Sequence, residues 1–179
     1  MQQAYCNLVR VGIQQPHQSL LVCTFFNVSR ETLLRLVIDM FHVKHKNIYE
    51  LLYKLALKSY KNDEIPVGSI VIYKDNIIGK GFNTRQSKCD VCGHAEVNAI
   101  RMAEKKLNDW RLNDCILITT LKPCSMCNEI IKASRISEVY YIFEQDKTNY
   151  ENNYIIIDDK DEYISKIEKL FNDFFKKLR

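Results

Sequence analysis

The pattern His94-Ala95-Glu96, answered downstream by Pro123-Cys124-Ser125-Met126-Cys127, constrains the fold more than anything else in this chain. One imidazole and two thiolates are donors that Zn²⁺ prefers, and three protein ligands leave the fourth position open for a water. Donors this far apart in sequence share an ion only if two separate segments converge on it. Ile116, Leu117 and Ile118 form a short apolar run that reads as a buried strand feeding the second segment. Pro123 is expected in the first turn of the helix that follows, where its missing N–H costs nothing. Cys124 and Cys127, three apart, then project to the same side of one turn. Behind His94, the residues Ala99, Ile100, Ala103 and Leu107 recur at helical spacing. Two strand-to-helix units would therefore bring two helix N-termini around one ion, where the positive helix ends favour thiolates. Glu96 is spaced so that it need not be a ligand, and its expected task is to carry protons.

A rival arrangement is written in the same chain. Cys89-x-x-Cys92 together with Cys124-x-x-Cys127 gives two knuckles, as in a closed four-cysteine structural site. The interval between them contains a whole predicted helix and is longer than most zinc ribbons allow. The open three-ligand site is the better fit, with Cys89 and Cys92 as reduced thiols in the loop before His94.

Composition sets the broad class. With 179 residues, 46% of them hydrophobic, the chain can bury one substantial core and hardly two. Seven cysteines, two of them accounted for by metal, imply no disulfide framework, so a reducing cytoplasmic setting is expected. Residues 1–30 lack the apolar core of a secretory signal, and no apolar run is long enough to span a bilayer. The net charge of +4 permits a nucleic-acid partner without demanding one.

The chain divides into an uncertain front and a patterned body. Residues 1–46 are read as an N-terminal extension with one helical stretch from Ser29 to Met40, and His42 and His45 beside Lys44 are read as solvent-exposed. Residues 47–179 form the zinc-binding domain. Ile48, Leu51, Leu52 and Leu55 mark an amphipathic helix, and strands at 69–73 and 77–82 flank the turn Lys74-Asp75-Asn76. The His94 helix, a strand at 115–120, the Cys124 helix and a strand at 139–143 follow. A fifth strand at 155–157 and a last helix from Glu162 to Leu178 close the chain. The alternation specifies an α/β fold, a mixed five-stranded sheet with helices on both faces. Trp110 is expected to pack at a helix end.

The body resembles the bacterial tRNA-specific adenosine deaminases of the cytidine-deaminase-like superfamily. The resemblance is carried by Ile65-Pro66-Val67-Gly68, Gly81-Phe82-Asn83, His94-Ala95-Glu96, Asn98-Ala99-Ile100-Arg101, Asn108-Asp109-Trp110-Arg111-Leu112, the Thr120–Cys127 stretch and Ser134-Arg135-Ile136. It covers residues 47–148 and the closing Phe174-Phe175 helix. It implies a cytidine-deaminase-like three-layer sandwich, with one Zn²⁺ per subunit held by His94, Cys124 and Cys127 and with Glu96 as proton shuttle. By the same resemblance the reaction replaces the amino group at C6 of the wobble adenosine, giving inosine. Asn83, Pro66 and Val67 would line the base pocket, and Phe174, Phe175, Lys176 and Lys177 are candidate RNA contacts. A homodimer gripping a tRNA anticodon stem-loop is implied as well.

The chain also departs from that pattern. Lys122 stands where the family has glutamate, and Asp90-Val91-Cys92-Gly93 replaces the usual loop before the histidine. Ile142-Phe143-Glu144-Gln145 replaces a stretch that ends on an RNA-binding aspartate, with Asp146 one place further on, and the segment from Lys147 to Asn153 is short. The family's chains begin near Asn47, so residues 1–39 are surplus and Met40 is an alternative start. Chemistry is thus expected to be retained and recognition altered. Two other functions stay open: deamination of a free base or nucleotide, and a non-catalytic RNA-binding zinc protein.

Overall fold

The first element is a helix, α1 (Ile48–Lys61), in a computed structural model that describes residues 48–144 and 154–178. The Ser29–Met40 helix, His42 and His45 lie outside the described residues, as does the segment from Lys147 to Asn153. In α1, Ile48, Leu52, Ala56 and Ser59 fall on one face and are buried, as the helical repeat requires. Glu50 in its first turn, and Lys58 and Lys61 in its last, complement the helix dipole.

The strands β1 (Gly68–Tyr73) and β2 (Asn76–Phe82) form the expected hairpin. Its turn is shorter than the sequence suggests, because Asn76 already belongs to β2. Lys74 and Asp75 both take positive φ, 45° and 60°, the geometry that matches a two-residue turn to the strand twist. Asn76 steadies the turn by donating from Nδ2 to the Lys74 carbonyl at 2.7 Å.

Then follow α2 (Ala95–Leu107), β3 (Ile116–Leu121), α3 (Ser125–Ala133), β4 (Glu138–Phe143), the two-residue β5 (Ile155–Ile156) and α4 (Glu162–Lys177). α2 stops at Asn108, which adopts the left-handed conformation (φ 53°) suited to a helix C-terminus. α4 starts at Asp161, whose Oδ1 accepts from the Tyr163 N–H at 2.8 Å.

The strand order is β2-β1-β3-β4-β5. β1 runs antiparallel to β2 and to β3, and β3, β4 and β5 run parallel to one another. The register aligns Val71, Leu117 and Val139 in one row across the sheet. That row packs against Ala99, Ile100 and Ala103 of α2 and Ile131 of α3. The alternate residues Ile70 and Ile118 are buried on the opposite side, where α1 lies so close that a Cβ on Gly68 would stand 2.6 Å from the Leu52 carbonyl oxygen. α4 rests on α1 through Tyr53 and Tyr163, whose ring centroids are 5.8 Å apart. The expected three layers, helix, sheet and helix, are present.

Two expectations are corrected. Pro123 is not inside the first turn of α3, because Cys124 is the N-cap and the proline precedes it. Its fixed φ instead holds the strand-to-helix connection in place ahead of the cysteine. Trp110 is not packed: it is 53% exposed, flanked by Arg111 at 5.4 Å and Arg135 at 5.1 Å from its ring. The left-handed turn at Asn108 redirects the chain, and Leu112, fully buried, takes the core position.

The contact that places the site is between β2 and α2. A Cβ on Gly79 would stand 2.2 Å from the Ala99 carbonyl oxygen, and one on Gly81 1.9 Å from that of Ala95. The obstacles are backbone atoms of a helix and cannot swing aside. Gly81→Ala is therefore expected to destabilise the fold by about 1–3 kcal/mol, the usual cost of overpacking. Urea denaturation checks this, and an unchanged midpoint contradicts it.

Candidate metal centre

His94 and Cys124 occupy equivalent places, each the N-cap of a helix that starts at the mouth of the sheet. His94 caps α2 with φ −83° and ψ 152°, and Cys124 caps α3 with φ −75° and ψ 173°. Neither side chain makes a capping hydrogen bond, so both are free to point at a common centre. Cys127 sits one turn into α3 and is fully buried.

The three donors converge. His94 Nδ1 lies 3.6 Å from Cys124 Sγ and 3.5 Å from Cys127 Sγ. All three ligand atoms fall within 4.8 Å of one another, and they form the one such cluster of His, Cys, Asp or Glu among the described residues. Zinc bonds of about 2.3 Å to sulfur and about 2.0 Å to nitrogen, at a tetrahedral angle, require N···S separations of roughly 3.5 Å. The cradle therefore fits Zn²⁺ as it stands, with Nδ1 as the histidine donor. Cys89, exposed, and Cys92, half-buried, are not members of the cluster.

The electrostatics of the cradle suit a cation. The Cys124 thiol is lowered to about 4, chiefly because Cys127 donates a hydrogen bond to its sulfur, with help from His94. Cys127 is raised correspondingly, first by that same bond and then by burial. The bond between the two sulfurs thus favours the thiolate at Cys124 and the thiol at Cys127. His94 is raised, mainly by its hydrogen bond with Cys124. Glu96, on the first turn of α2 and 5% exposed, is pushed up to about 7 by burial, an effect offset in part by its own backbone N–H and by His94. A carboxyl poised there can hold or release a proton near neutral pH.

A buried polar frame fixes the head of α2. Asn83 Oδ1 accepts from the Ala95 N–H at 2.9 Å, its Nδ2 donates to the Ile65 carbonyl at 3.0 Å, and its own N–H donates to Ser59 Oγ at 3.0 Å. Ser59 in turn donates to the Val67 carbonyl at 2.8 Å. Pro66 and Val67, both buried, are held between these two tethers. These bonds use one of the two N–H groups and one of the two oxygen lone pairs of the Asn83 amide. Asn98 adds a further brace, donating to the Phe82 carbonyl at 2.9 Å and to Thr84 Oγ1 at 3.1 Å.

Sequence reasoning missed Glu64. It is 3% exposed, and its Oε1 accepts from the backbone N–H groups of Gln86 and Ser87, both at 2.8 Å, and from Ser87 Oγ at 3.0 Å. It thereby ties down the loop that delivers His94. A glutamate just past a helix end reads as solvent-exposed, and only the return of the 84–93 loop buries it. Tyr154 was missed too; its hydroxyl donates to Asn128 Oδ1 at 2.7 Å, beside Cys127.

The closing helix divides its aromatic pair. Phe174 is packed inward, 9% exposed, so of the two only Phe175, 48% exposed, is presented to solvent. Lys176 is exposed, and Lys177 holds its ammonium 4.3 Å from the Tyr60 ring centroid, at the end of α1 that leads into the Glu64–Val67 loop. Lys58 similarly covers Phe82 at 4.2 Å.

Binding a cation here must displace protons, because the hydrogen bonds that raise Cys127 and His94 make both retain theirs more readily. Metal affinity is expected to rise with pH and to fall as the solution is acidified. Competition against a chelator at pH 6 and pH 8 checks this; equal affinities would contradict it.

Comparison with known proteins agrees with this geometry. Residues 42–143 match the family described as the cytidine and deoxycytidylate deaminase zinc-binding region. A tRNA-specific adenosine deaminase of Aquifex aeolicus is 33% identical over 134 residues, covering 69% of this chain and 89% of that protein. Among solved structures, one from a study of A-to-I editing by tRNA:A34 deaminases at the wobble position superposes with a TM-score of 0.55 at 28% identity, covering 60% of this chain and 95% of the other. Guanine deaminase from Bacillus subtilis superposes with a TM-score of 0.53, also at 28% identity, covering 72% and 94%.

Proposed function

The chain belongs to the cytidine and deoxycytidylate deaminase zinc-binding family, and on that premise we propose that it deaminates adenosine to inosine at the wobble position of a tRNA anticodon. The observation that carries the reading is the cradle itself, three zinc donors at tetrahedral spacing with a buried carboxyl beside them that is not one of the donors. Residues 47–179 are the catalytic unit of this reading, acting in the cytoplasm as a homodimer.

His94, Cys124 and Cys127 hold the ion. When bound, zinc supplies a Lewis acid that makes an attacking water available near neutral pH. Glu96 accepts the proton that this water loses and returns protons to the purine ring and to the departing amine. The balance is water plus the C6 amine giving the C6 carbonyl and ammonia. Burial of Glu96 serves this cycle, because a carboxyl raised to about 7 both takes and gives a proton at little cost. The Asn83 frame fixes the floor on which the base rests, and Pro66 and Val67 form its apolar side.

RNA fits the surroundings of the cradle. An unpaired anticodon base can be splayed into a pocket without breaking a helix. Phe175 offers a stacking face, and Lys176 and Lys177 offer charge to the phosphates, on the side of α1 that runs into the pocket loop. A free purine is the second reading, favoured by the likeness to guanine deaminase.

The deciding assay incubates zinc-loaded protein separately with an anticodon stem-loop carrying adenosine at the wobble position, with free nucleosides and with free bases. Inosine in the RNA alone supports the reading, and ammonia from small molecules alone contradicts it. Glu96→Gln is expected to keep zinc and lose turnover by about 10²–10⁴-fold, the usual worth of a positioned proton carrier. Retained turnover would remove Glu96 from its role. Lys176→Glu with Lys177→Glu is expected to weaken RNA binding and flatten its dependence on salt; an unchanged slope would take the tail out of the interface.

A further inference from the structure

Lys122 and Glu144 directly follow the neighbouring parallel strands β3 and β4, at the end of β3 that leads into Cys124. Their contact is short and is enclosed on the lysine side, while the Glu144 side chain is 49% exposed. Lys122 Nζ lies 2.6 Å from Glu144 Oε1, and the lysine side chain is only 16% exposed. The other carboxylate oxygen, Oε2, accepts from the Tyr141 hydroxyl at 2.7 Å. The ammonium also stands 5.7 Å from the Tyr141 ring centroid. Tyr141 itself is 6% exposed, so one end of the arrangement is anchored in the sheet.

The backbone continues the same link. The Lys122 N–H donates to the Phe143 carbonyl at 2.9 Å, one step beyond the last paired residues, Leu121 and Phe143. Two residues later the chain places Cys124, with Pro123 between them. Pro123 has no N–H to donate to the β3–β4 ladder. The Lys122 N–H is thus the last backbone donor before the metal ligand Cys124.

We propose that the Lys122–Glu144–Tyr141 strap is a positioning device for the metal site, setting how far the Pro123–Cys124 connection reaches and so where the Cys124 sulfur lies. Lys122 is a positioning residue that acts through Cys124 and touches neither substrate nor ion. Partners behind metal ligands commonly change affinity by about 10- to 100-fold when removed. The proposal concerns metal binding and is independent of which base the enzyme deaminates.

The test is a charge-reversal cycle on the whole chain, read by Co²⁺ titration through its thiolate absorption and by zinc competition against a chelator. Lys122→Glu and Glu144→Lys are each expected to weaken metal binding about 10-fold and to alter the Co²⁺ spectrum. The double variant, with the pair restored in the opposite sense, is expected to recover both. Tyr141→Phe, which keeps the packing, is expected to give a smaller loss in the same direction. Singles that bind metal as the parent does, or a double no better than the singles, would overturn the proposal. Should the reversed singles fail to fold, Glu144→Gln keeps the shape and answers by the same readout: parental affinity and spectrum overturn the strap, and weakened binding supports it.

Discussion

The functional end of this molecule depends on how closely β2 lies against α2. Gly79 and Gly81 leave no room for a side chain between strand and helix, so the helix cannot slide or tilt without colliding with the strand. That contact aims the N-terminus of α2 at a fixed point, and His94 and Glu96 are carried there by it. The parallel pair β3 and β4 does the same for α3 and its two cysteines, through a connection too short to wander. Two rigid helix starts meeting over a sheet favour thiolates there and so assemble a donor-rich site for a cation before any ligand arrives.

The division of labour within the cleft follows from burial. Cys127 and Glu96 lie deep, while His94 and Cys124 are half-exposed, so an ion held between them faces outward on one side. The carboxyl that is kept from the ion is the one whose burial raises it into the neutral range. Had Glu96 been exposed it would be an anion at neutral pH and too weak a base to take up a proton readily.

Much of this was legible in the sequence, for physical reasons. Donor chemistry and spacing are local properties, so His94, Cys124 and Cys127 could be read together from the residues alone, and helical or alternating hydrophobicity announced nearly every element. What could not be read depends on where the chain returns. Glu64 and Ser59 are polar residues in ordinary helix-end positions, and only the segments that return over them turn them into the frame that holds the head of α2. Trp110 looked like core, because its exposure follows from a left-handed turn at Asn108 that hydrophobicity does not reveal. Phe174 and Phe175 are adjacent, and the helical repeat allows only one of them inward. The lysine at 122 looked like a lost family glutamate, yet it pairs with Glu144 inside the chain itself.

All of it turns on three donors, and no others from the protein, sharing one ion. X-ray absorption at the zinc edge of the purified, metal-loaded protein measures that directly. The account requires two sulfurs at about 2.3 Å and two lighter nitrogen or oxygen neighbours at about 2.0 Å. Four sulfurs would place Cys89 and Cys92 in a closed structural site and leave no position for a water, contradicting it outright.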